Sequence, residues 1–414
     1  GRLGKELWTA GETGEPITLY AGFNEQDEAR FIVEQIEQWL DAGNDRVSTA
    51  ILYRSNAQSR VLEEALIRAA IPYRIYGGQR FYERLEIRNA LAYLRLLLNR
   101  GDDAAIERTI NTPPRGIGSK TLDTVRACAR NREIPMWQAI AAVLVEKLLP
   151  ARALSALEGF VVLINELDAG TDGLDLAEVV EHAIEASGLV ECYQKEKGEK
   201  GQARVENLEE LVSAGKQFVA PDDELTPLQQ FLDNAALDAG DAQADEHEDS
   251  VQLMTLHSAK GLEFPLVFLA GMEENLFPHR MSLEEPGRLE EERRLCYVGI
   301  TRAKEKLMIT YAESRRLHGS ENFNTPSRFI REIPAELLQE VRLHTSVARP
   351  VSAITQAQVP DTDLYLGQRV YHQIFGEGVV LNFEGRGASA RVEVNFDTEA
   401  SKWLVLQYAN LQLM

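Results

Sequence analysis

The sequence predicts an α/β fold, in which a mostly parallel sheet is interrupted by a long helical insertion and followed by a small SH3-like β-barrel. Three observations carry this. Strand and helix patterns alternate over residues 17–76, helical periodicity alone fills 86–239, and short alternating strands between Gly-rich turns occupy 366–414.

The elements follow in order. Ile17–Tyr20 is a short strand, and Asn24–Leu40 carries Phe31, Ile32, Ile36, Trp39 and Leu40 at helical spacing. Thr49–Tyr53 is a buried-type strand, Ser59–Ala70 a helix and Pro72–Tyr76 a third strand. Helices are then expected at Ile87–Asn99, Asp102–Asn111, Ser119–Asn131 and Met136–Val145. Four more are expected at Ala151–Asp168, Asp175–Ser187, Asn207–Phe218 and Pro227–Ala236, with Pro and Gly between them. Strands return at Val251–Leu256, Phe264–Leu269 and Lys306–Tyr311. The economical assignment is one discontinuous domain, 1–76 with 248–337, around an insertion at 77–247. Residues 338–364 read as a linker and 365–414 as the barrel, with strands at Gly378–Asn382, Arg391–Phe396 and Lys402–Val405.

The three cysteines are isolated and form neither a metal spacing nor a disulfide framework, which points to a reducing cytoplasm. No apolar run is long enough to span a membrane, and no signal peptide is expected. The first residue is Gly, so a fragment or a cleaved product is expected. A net charge of −21 argues against wrapping by nucleic acid, but Pro221–Ser250 alone carries ten carboxylates and no Lys or Arg. That segment is expected to be a solvated face, and basic strips survive elsewhere.

The chemistry concentrates in two stretches. Thr255-Leu-His-Ser-Ala-Lys-Gly-Leu-Glu263 is a polar loop leaving an apolar strand, and Gly299-Ile-Thr-Arg-Ala303 puts an arginine at a helix end that feeds the next strand. Leu289, Cys296 and Ile300 fall on one face of that helix, which would aim Arg302 out of its end. No G-x-x-x-x-G-K-[ST] run exists in the chain, so it is not expected to cradle a nucleoside triphosphate, or to hydrolyse one, by itself. Arg115-Gly-Ile-Gly118 with Ser119 and Lys120 is a tight turn into a helix N-terminus, either a phosphate site or an ordinary inter-helix turn. Gly77-Gly78 reads as a hinge or as a static turn.

These two stretches, with Ile51–Arg60, Tyr73–Phe81 and Thr112–Gly118, resemble the superfamily 1 DNA helicases of the UvrD/PcrA/Rep type over essentially the whole chain. The resemblance implies a RecA-like, P-loop NTPase-type second motor domain (1–76, 248–337) whose helical insertion rotates in relatives. The first motor domain, with the phosphate loop and the Mg²⁺ ligands, would lie outside the chain. The implied activity is ATP-dependent 3′→5′ unwinding in nucleotide excision and mismatch repair, with ATP and Mg²⁺ as cofactors and no metal ligands in this chain. Arg302 would be the catalytic arginine finger, Glu263 would bind the ribose, Gly261 would admit it closely, and Lys260 would assist at the phosphates. Thr255, His257, Arg54 and Asn56 would contact single-stranded DNA, and Gly116, Ile117 and Gly118 the duplex. His318, where relatives carry an aromatic, would tip a strand-separating hairpin over Tyr311–Ser320. Implied partners are single strands and junctions, repair proteins, and RNA polymerase through the barrel, which resembles a Tudor-like module and where Arg369, His372, Lys402 and Trp403 form a candidate patch unless Trp403 and Phe375 are core. Implied location is the cytoplasm, at the nucleoid. The alternative is a non-catalytic module that binds DNA forks and polymerase. A helicase-like nuclease subunit is disfavoured, because no acidic and lysine cluster of the nuclease type stands at the carboxyl end.

Overall fold

The computed structural model describes residues 14–196, 198–221, 225–240, 248–284, 287–317, 320–341, 368–372, 375–384, 391–396, 402–405 and 411–413. The chain divides into two compact units, 1–343 and 344–414.

The first unit is built on a sheet of parallel strands. β1 (Ile17–Gly22) leads to α1 (Glu25–Asp41), β2 (Thr49–Tyr53), α2 (Ser59–Arg68) and β3 (Tyr73–Ile75). The chain then runs through α3 (Leu85–Leu98), α4 (Asp103–Thr109), α5 (Ser119–Arg132), α6 (Met136–Glu146) and α7 (Ala151–Ala169). It continues through α8 (Leu176–Ala186), α9 (Leu189–Gln194), α10 (Glu199–Gln217) and α11 (Pro227–Gly240). It returns to the sheet with β4 (Val251–Thr255) and β5 (Phe264–Leu269). After α12 (Arg280–Glu284) and α13 (Arg288–Ile300) come β6 (Ala303–Ala312), a hairpin of β7 (Ser314–Leu317) and β8 (Ser320–Phe323), α14 (Arg328–Arg331) and β9 (Leu338–Val341). The sheet order is β3-β4-β2-β5-β6-β1-β9, and every neighbour pair is parallel.

Side-chain alternation divides this sheet cleanly. Ile51, Tyr53, Leu253 and Phe268 face one apolar cluster with Phe31, Ile32 and Ile36 of α1 and Leu62 and Leu66 of α2. Ala50, Leu52, Met254, Val267 and Leu269 face another, with Leu295 and Cys296 of α13 and Phe329 and Ile330 of α14. β2 is buried along its whole length because both faces are covered. The helices between β3 and β4 form their own apolar cluster, drawn from residues 81–235.

The sequence assignment needs corrections at its margins. The sheet continues into the stretch read as a linker: β9 pairs with β1, Ile17 opposite Leu338. Leu338 packs on the α13 face and Val341 on the α1 face. Residues 342–364 lie outside the described residues, as do 222–224 and 241–247 of the acidic run. The helix expected at Asn207–Phe218 begins at Glu199, and α9 had no expectation.

In the second unit, β10 (Arg369–His372), β11 (Gly376–Glu384), β12 (Arg391–Phe396), β13 (Lys402–Val405) and β14 (Gln412–Leu413) form an antiparallel sheet ordered β13-β12-β11-β10-β14. Val370, Val380, Val392 and Val394 make its core, with Phe375 packed against them. His372 is buried and stacks on Phe375 at 4.7 Å, so it does not belong to an exposed patch. Lys402 sits 4.4 Å from the centre of the Phe375 ring. The Trp403 side chain lies outside the described set.

The seam between the α3–α11 region and the sheet is polar. Arg60 of α2 is 2 % exposed. Its Nε donates to Glu210 of α10 (2.6 Å), its Nη2 to Gln217 (2.7 Å) and its Nη1 to Glu64 (2.8 Å). Burial opposes its charge, yet Glu210 and Glu64 hold the guanidinium above its ordinary pKa. Removing one partner of such a buried pair strands the other. Arg60→Ala is therefore expected to cost about 3–5 kcal/mol in urea unfolding, and Arg60→Met with Glu210→Met in one chain to recover much of that loss. A loss under about 1 kcal/mol for Arg60→Ala would show the pair to be a surface-type ion pair.

Candidate functional site

The predicted residues collect at opposite edges of the sheet. Arg54 and Asn56 follow β2, while Thr255 ends β4, the hydrogen-bonded neighbour of β2, and His257 lies two residues on. All four stand at the carboxyl edge of the strands and line one cleft. This is where an open α/β sheet normally holds ligands. Lys260, Gly261 and Glu263 precede β5, and Arg302 precedes β6, so these four stand at the amino edge. There the Phe264 N–H donates to the Arg302 carbonyl (2.9 Å), and Phe264 pairs with Ala303. The loop 255–263 thus begins at one edge of the sheet and ends at the other.

At the amino edge, Arg302 is half-buried and does not enter the apolar interior. Its Nε donates to Val298 O (2.8 Å), Nη1 to Leu262 O (2.8 Å) and Nη2 to Thr301 Oγ1 (3.0 Å). These acceptors are neutral. Among the described residues no carboxylate pairs with Arg302, and Nη1 and Nη2 each keep a second N–H. Lys260, Gly261 and Glu263 are exposed. Gly261 has φ +91° with nothing within 4 Å of where a Cβ would stand, so an approaching group meets bare backbone.

Arg302 is aimed by α13. Leu289, Cys296 and Ile300 all lie in the cluster beneath that helix, as their spacing predicts. Gly299 brings the helix end close: a Cβ there would stand 2.5 Å from Leu256 Cδ2 and 3.0 Å from Leu269 Cδ2. The glycine is set by packing, and its φ is ordinary.

At the carboxyl edge, Arg54 is already engaged. Its Nε and Nη2 form a forked pair with Glu292 of α13 (2.7–3.1 Å). Glu292 also accepts from the His279 backbone N–H (3.1 Å) and Ser282 Oγ (3.2 Å). Burial pushes this carboxyl up, but Arg54, His279 and Ser282 outweigh it and hold it below the usual range. Across the cleft, Glu206 of α10 accepts from Ser55 Oγ (2.6 Å) and contacts His279 Nε2 at 3.1 Å. Burial raises Glu206 too, and His279 and Ser55 lead the groups that bring it below its ordinary value. Asn56 and His257 are exposed. Thr255 Oγ1 lies 3.1 Å from Ser258 Oγ. Lys200 and Arg288 line the same cleft, and sequence reasoning did not reach them. Glu292, Glu206 and His279 were also missed, because none sits in a motif-like pattern.

The α4–α5 turn does not line this cleft. Gly116 and Gly118 are exposed, but Ile117 needs correcting as a DNA-contact candidate. It is 1 % exposed within the helical core, and its N–H already donates to Asn111 Oδ1 (3.2 Å). It anchors the turn. His318 lies outside the described residues, although β7 and β8 on either side pair as an antiparallel hairpin. That hairpin is rooted by Arg315, which is buried against Glu28 and Glu273.

Residues 1–314 match the family described as the UvrD-like helicase C-terminal domain. The chain is 58 % identical to the DNA helicase II of Escherichia coli over 417 residues, covering 100 % of the chain and 58 % of that relative. It is 53 % identical to the DNA helicase II of Haemophilus influenzae, and 39 % identical to the ATP-dependent DNA helicase PcrA of Staphylococcus epidermidis. Those two matches each cover 99 % of the chain and 58 % of the relative. The chain therefore spans 58 % of the length of these curated relatives.

Two outcomes are expected from this geometry. Gly299→Ala overpacks two buried leucines and should lower stability by about 1–3 kcal/mol in urea unfolding; an unchanged midpoint would mean that α13 does not depend on this close approach. The second concerns acid. Glu292 and Glu206 titrate below their unfolded value of about 4.3, so their contribution is present above that pH and is lost as pH falls through their folded values. Glu292→Gln should be less stable at neutral pH, with the gap to the parent closing in acid. A gap that stays constant from neutral to strongly acidic pH would contradict the assignment.

Proposed function

The chain belongs to the family of UvrD-like helicase C-terminal domains, and from that premise we propose that it is the carboxyl-terminal part of an ATP-driven DNA helicase. In this reading the whole protein moves 3′→5′ along single-stranded DNA and unwinds duplex during nucleotide excision and mismatch repair, in the cytoplasm at the nucleoid. The observation that carries it is the loop 255–263, with its DNA candidates at one edge of the sheet and its nucleotide candidates at the other.

The chemistry follows from the side chains. Phosphoryl transfer to water spreads negative charge over the γ-phosphate oxygens. The Arg302 guanidinium, bonded to neutral acceptors and to no carboxylate among the described residues, keeps its charge and two N–H groups for those oxygens. Glu263 accepts from a ribose hydroxyl, Gly261 lets the nucleotide approach the backbone, and Lys260 reaches the phosphates. Among the described residues no group of three or more His, Cys, Asp or Glu side chains converges on a metal site. In this reading the Mg²⁺ ligands lie with the phosphate loop, outside this chain. The phosphate loop that faces Arg302 belongs to a preceding domain, and the chain by itself is inactive as an ATPase.

On the opposite edge, Thr255, His257 and Asn56 offer hydroxyl, imidazole and amide groups to a sugar–phosphate backbone. Arg54 reaches DNA only by exchanging part of its Glu292 fork for a phosphate. Closure around nucleotide at Lys260–Glu263 shifts the 255–263 loop between its fixed ends and changes the grip on the strand. Gly116 and Gly118, at the start of α5, hold the duplex ahead, and the β7–β8 hairpin parts it. The carboxyl-terminal sheet contacts RNA polymerase, and repair proteins bind the whole assembly. No described helix is long and apolar enough to cross a membrane.

One observation favours a second reading, a non-catalytic module that binds forks and polymerase: the chain contains no G-x-x-x-x-G-K-[ST] run. A single experiment separates the two. In the intact protein, Arg302→Ala should cut DNA-stimulated ATP turnover by about 10³–10⁵ while leaving single-strand affinity in place. Turnover within about tenfold of the parent would remove Arg302 from the chemistry, and an intact parent without DNA-stimulated turnover would leave the module reading in possession.

A further inference from the structure

Glu25, the first residue of α1, has no part in the site described above, yet it is only 6 % exposed. A buried carboxylate is costly and is normally paired with a cation. Among the described residues no cation pairs with this one. The amino end of α1, where the helix dipole is positive, offsets part of the cost. Two neutral donors offset more. Oε1 accepts from Gln217 Nε2 (2.6 Å), and Oε2 accepts from the Arg316 backbone N–H (3.3 Å). Gln217 is the last residue of α10, and Arg316 lies in β7 of the hairpin. One carboxylate therefore bridges the helical region and the hairpin.

Both ends of this bridge are anchored. Gln217 Oε1 accepts from Arg60 Nη2 (2.7 Å), which ties its amide into the polar seam. On the other side, the turn after β1 offers a row of acceptors to the base of the hairpin. Gly22 O takes the Glu313 N–H (2.8 Å), Phe23 O the Ser314 N–H (3.0 Å) and Glu25 the Arg316 N–H. The hairpin is a sheet of two strands. Such a ribbon is marginal by itself, and its outer edges carry N–H groups that need partners. Glu25 supplies a partner on the β7 edge. A polar cavity of about 220 Å³ lies beside the bridge, lined by Glu206 and Glu210 of α10, Arg316 and Asn322 of the hairpin, and Glu25 itself. The hairpin has room to shift there once the carboxylate lets go.

We propose that Glu25 is a positioning residue for the β7–β8 hairpin, holding it in place only while α10 is docked on the sheet. If Arg60 and Gln217 part, Glu25 keeps a single N–H donor in a buried place. The carboxylate then turns into the cavity and frees the Arg316 N–H. The proposal deepens the helicase reading, since it rests on that hairpin parting the duplex.

The test uses the intact protein and two readouts, strand displacement on a 3′-tailed duplex and ATP turnover on oligo-dT. Glu25→Ala should slow displacement by about tenfold or more, the size of a lost hydrogen bond to a charged group, and leave turnover within about twofold. Gln217→Leu, which removes only the α10 end of the bridge, should give the same split. The double variant should lose no more than Glu25→Ala alone, because both changes cut one connection. Glu25→Gln keeps an oxygen for one donor; it covers the case in which Glu25→Ala fails to fold, and should show a smaller loss. Hydrogen exchange at Glu313–Arg316 should quicken in both single variants while β2 stays protected. Displacement and turnover that fall together would make Glu25 a residue of general stability and overturn the proposal. A split in Glu25→Ala but not in Gln217→Leu would overturn the link to α10. Unchanged displacement in both variants, beside an active parent, would overturn the proposal and spare the helicase reading. A parent that displaces no strand would sink the helicase reading and the hairpin's task together.

Discussion

The polar seam between the helical region and the parallel sheet is the constraint on which the rest of this structure depends. Each side has its own apolar core, and neither core crosses the joint. Arg60 with Glu210 and Gln217, Ser55 with Glu206, and Arg84 with Asn56 O (2.9 Å) and Ser59 Oγ (2.6 Å) bridge the two. Buried pairs of this kind add little net stability over an apolar contact, but they accept few geometries. The cleft that gathers Arg54, Asn56, Thr255 and His257 is walled on its far side by α10, the helix that carries Glu206 and Glu210. The joint therefore fixes the width of the cleft. Gly77, at φ +74°, and Gly78 supply backbone freedom beside β3, yet any rotation about them has to part the Arg60 and Arg84 bonds together.

The sheet then turns one short loop into a coupling element. A parallel strand places its end and the start of the next strand at opposite edges, so the return segment must cross the layer. In most α/β units a long helix makes that crossing. Here the eight residues between β4 and β5 make it, beginning with a turn in which the Ser258 and Ala259 N–H groups donate to Thr255 O. Arg302 Nη1 holds the far end through Leu262 O, and Gly299 lets α13 lie against Leu256. Arg302 thus touches the loop one residue from Glu263 and five from His257. With nucleotide and strand at its two ends, as proposed, no extended pathway would be needed to link them.

Much of this was legible in the sequence, and the boundary of what was legible has a physical cause. Elements with strong period fell where expected: α1 from Phe31, Ile32 and Ile36, β2 from its unbroken apolar run, α13 from Leu289, Cys296 and Ile300. The weak points were polar or short. The first half of α10 reads Glu199-Lys-Gly-Gln-Ala-Arg-Val-Glu206, without an apolar stripe wide enough to announce a helix, and β9 is four residues of an edge strand. Residue roles divided in the same way. Positions in local motifs were found, because the motif is a stretch of chain. The Arg54–Glu292 fork joins residues 238 apart, and Ser55–Glu206 residues 151 apart. Nothing local marks either carboxylate. Ile117 shows the converse: a motif can name a residue whose backbone and side chain both face inward.

Charge illustrates why the sum misleads. A net −21 opposes an approaching polyanion at long range, but that field is screened beyond roughly 10 Å at moderate salt. At contact distance only the local supply of guanidinium counts. Many arginines of this chain are spent on carboxylates: Arg60, Arg315, Arg293 and Arg328 each pair with one or more. Arg302, at the amino edge of the sheet, is bonded instead to neutral acceptors, and among the described residues no carboxylate pairs with it. A guanidinium kept from acids in this way is one that an approaching oxyanion would meet unneutralised.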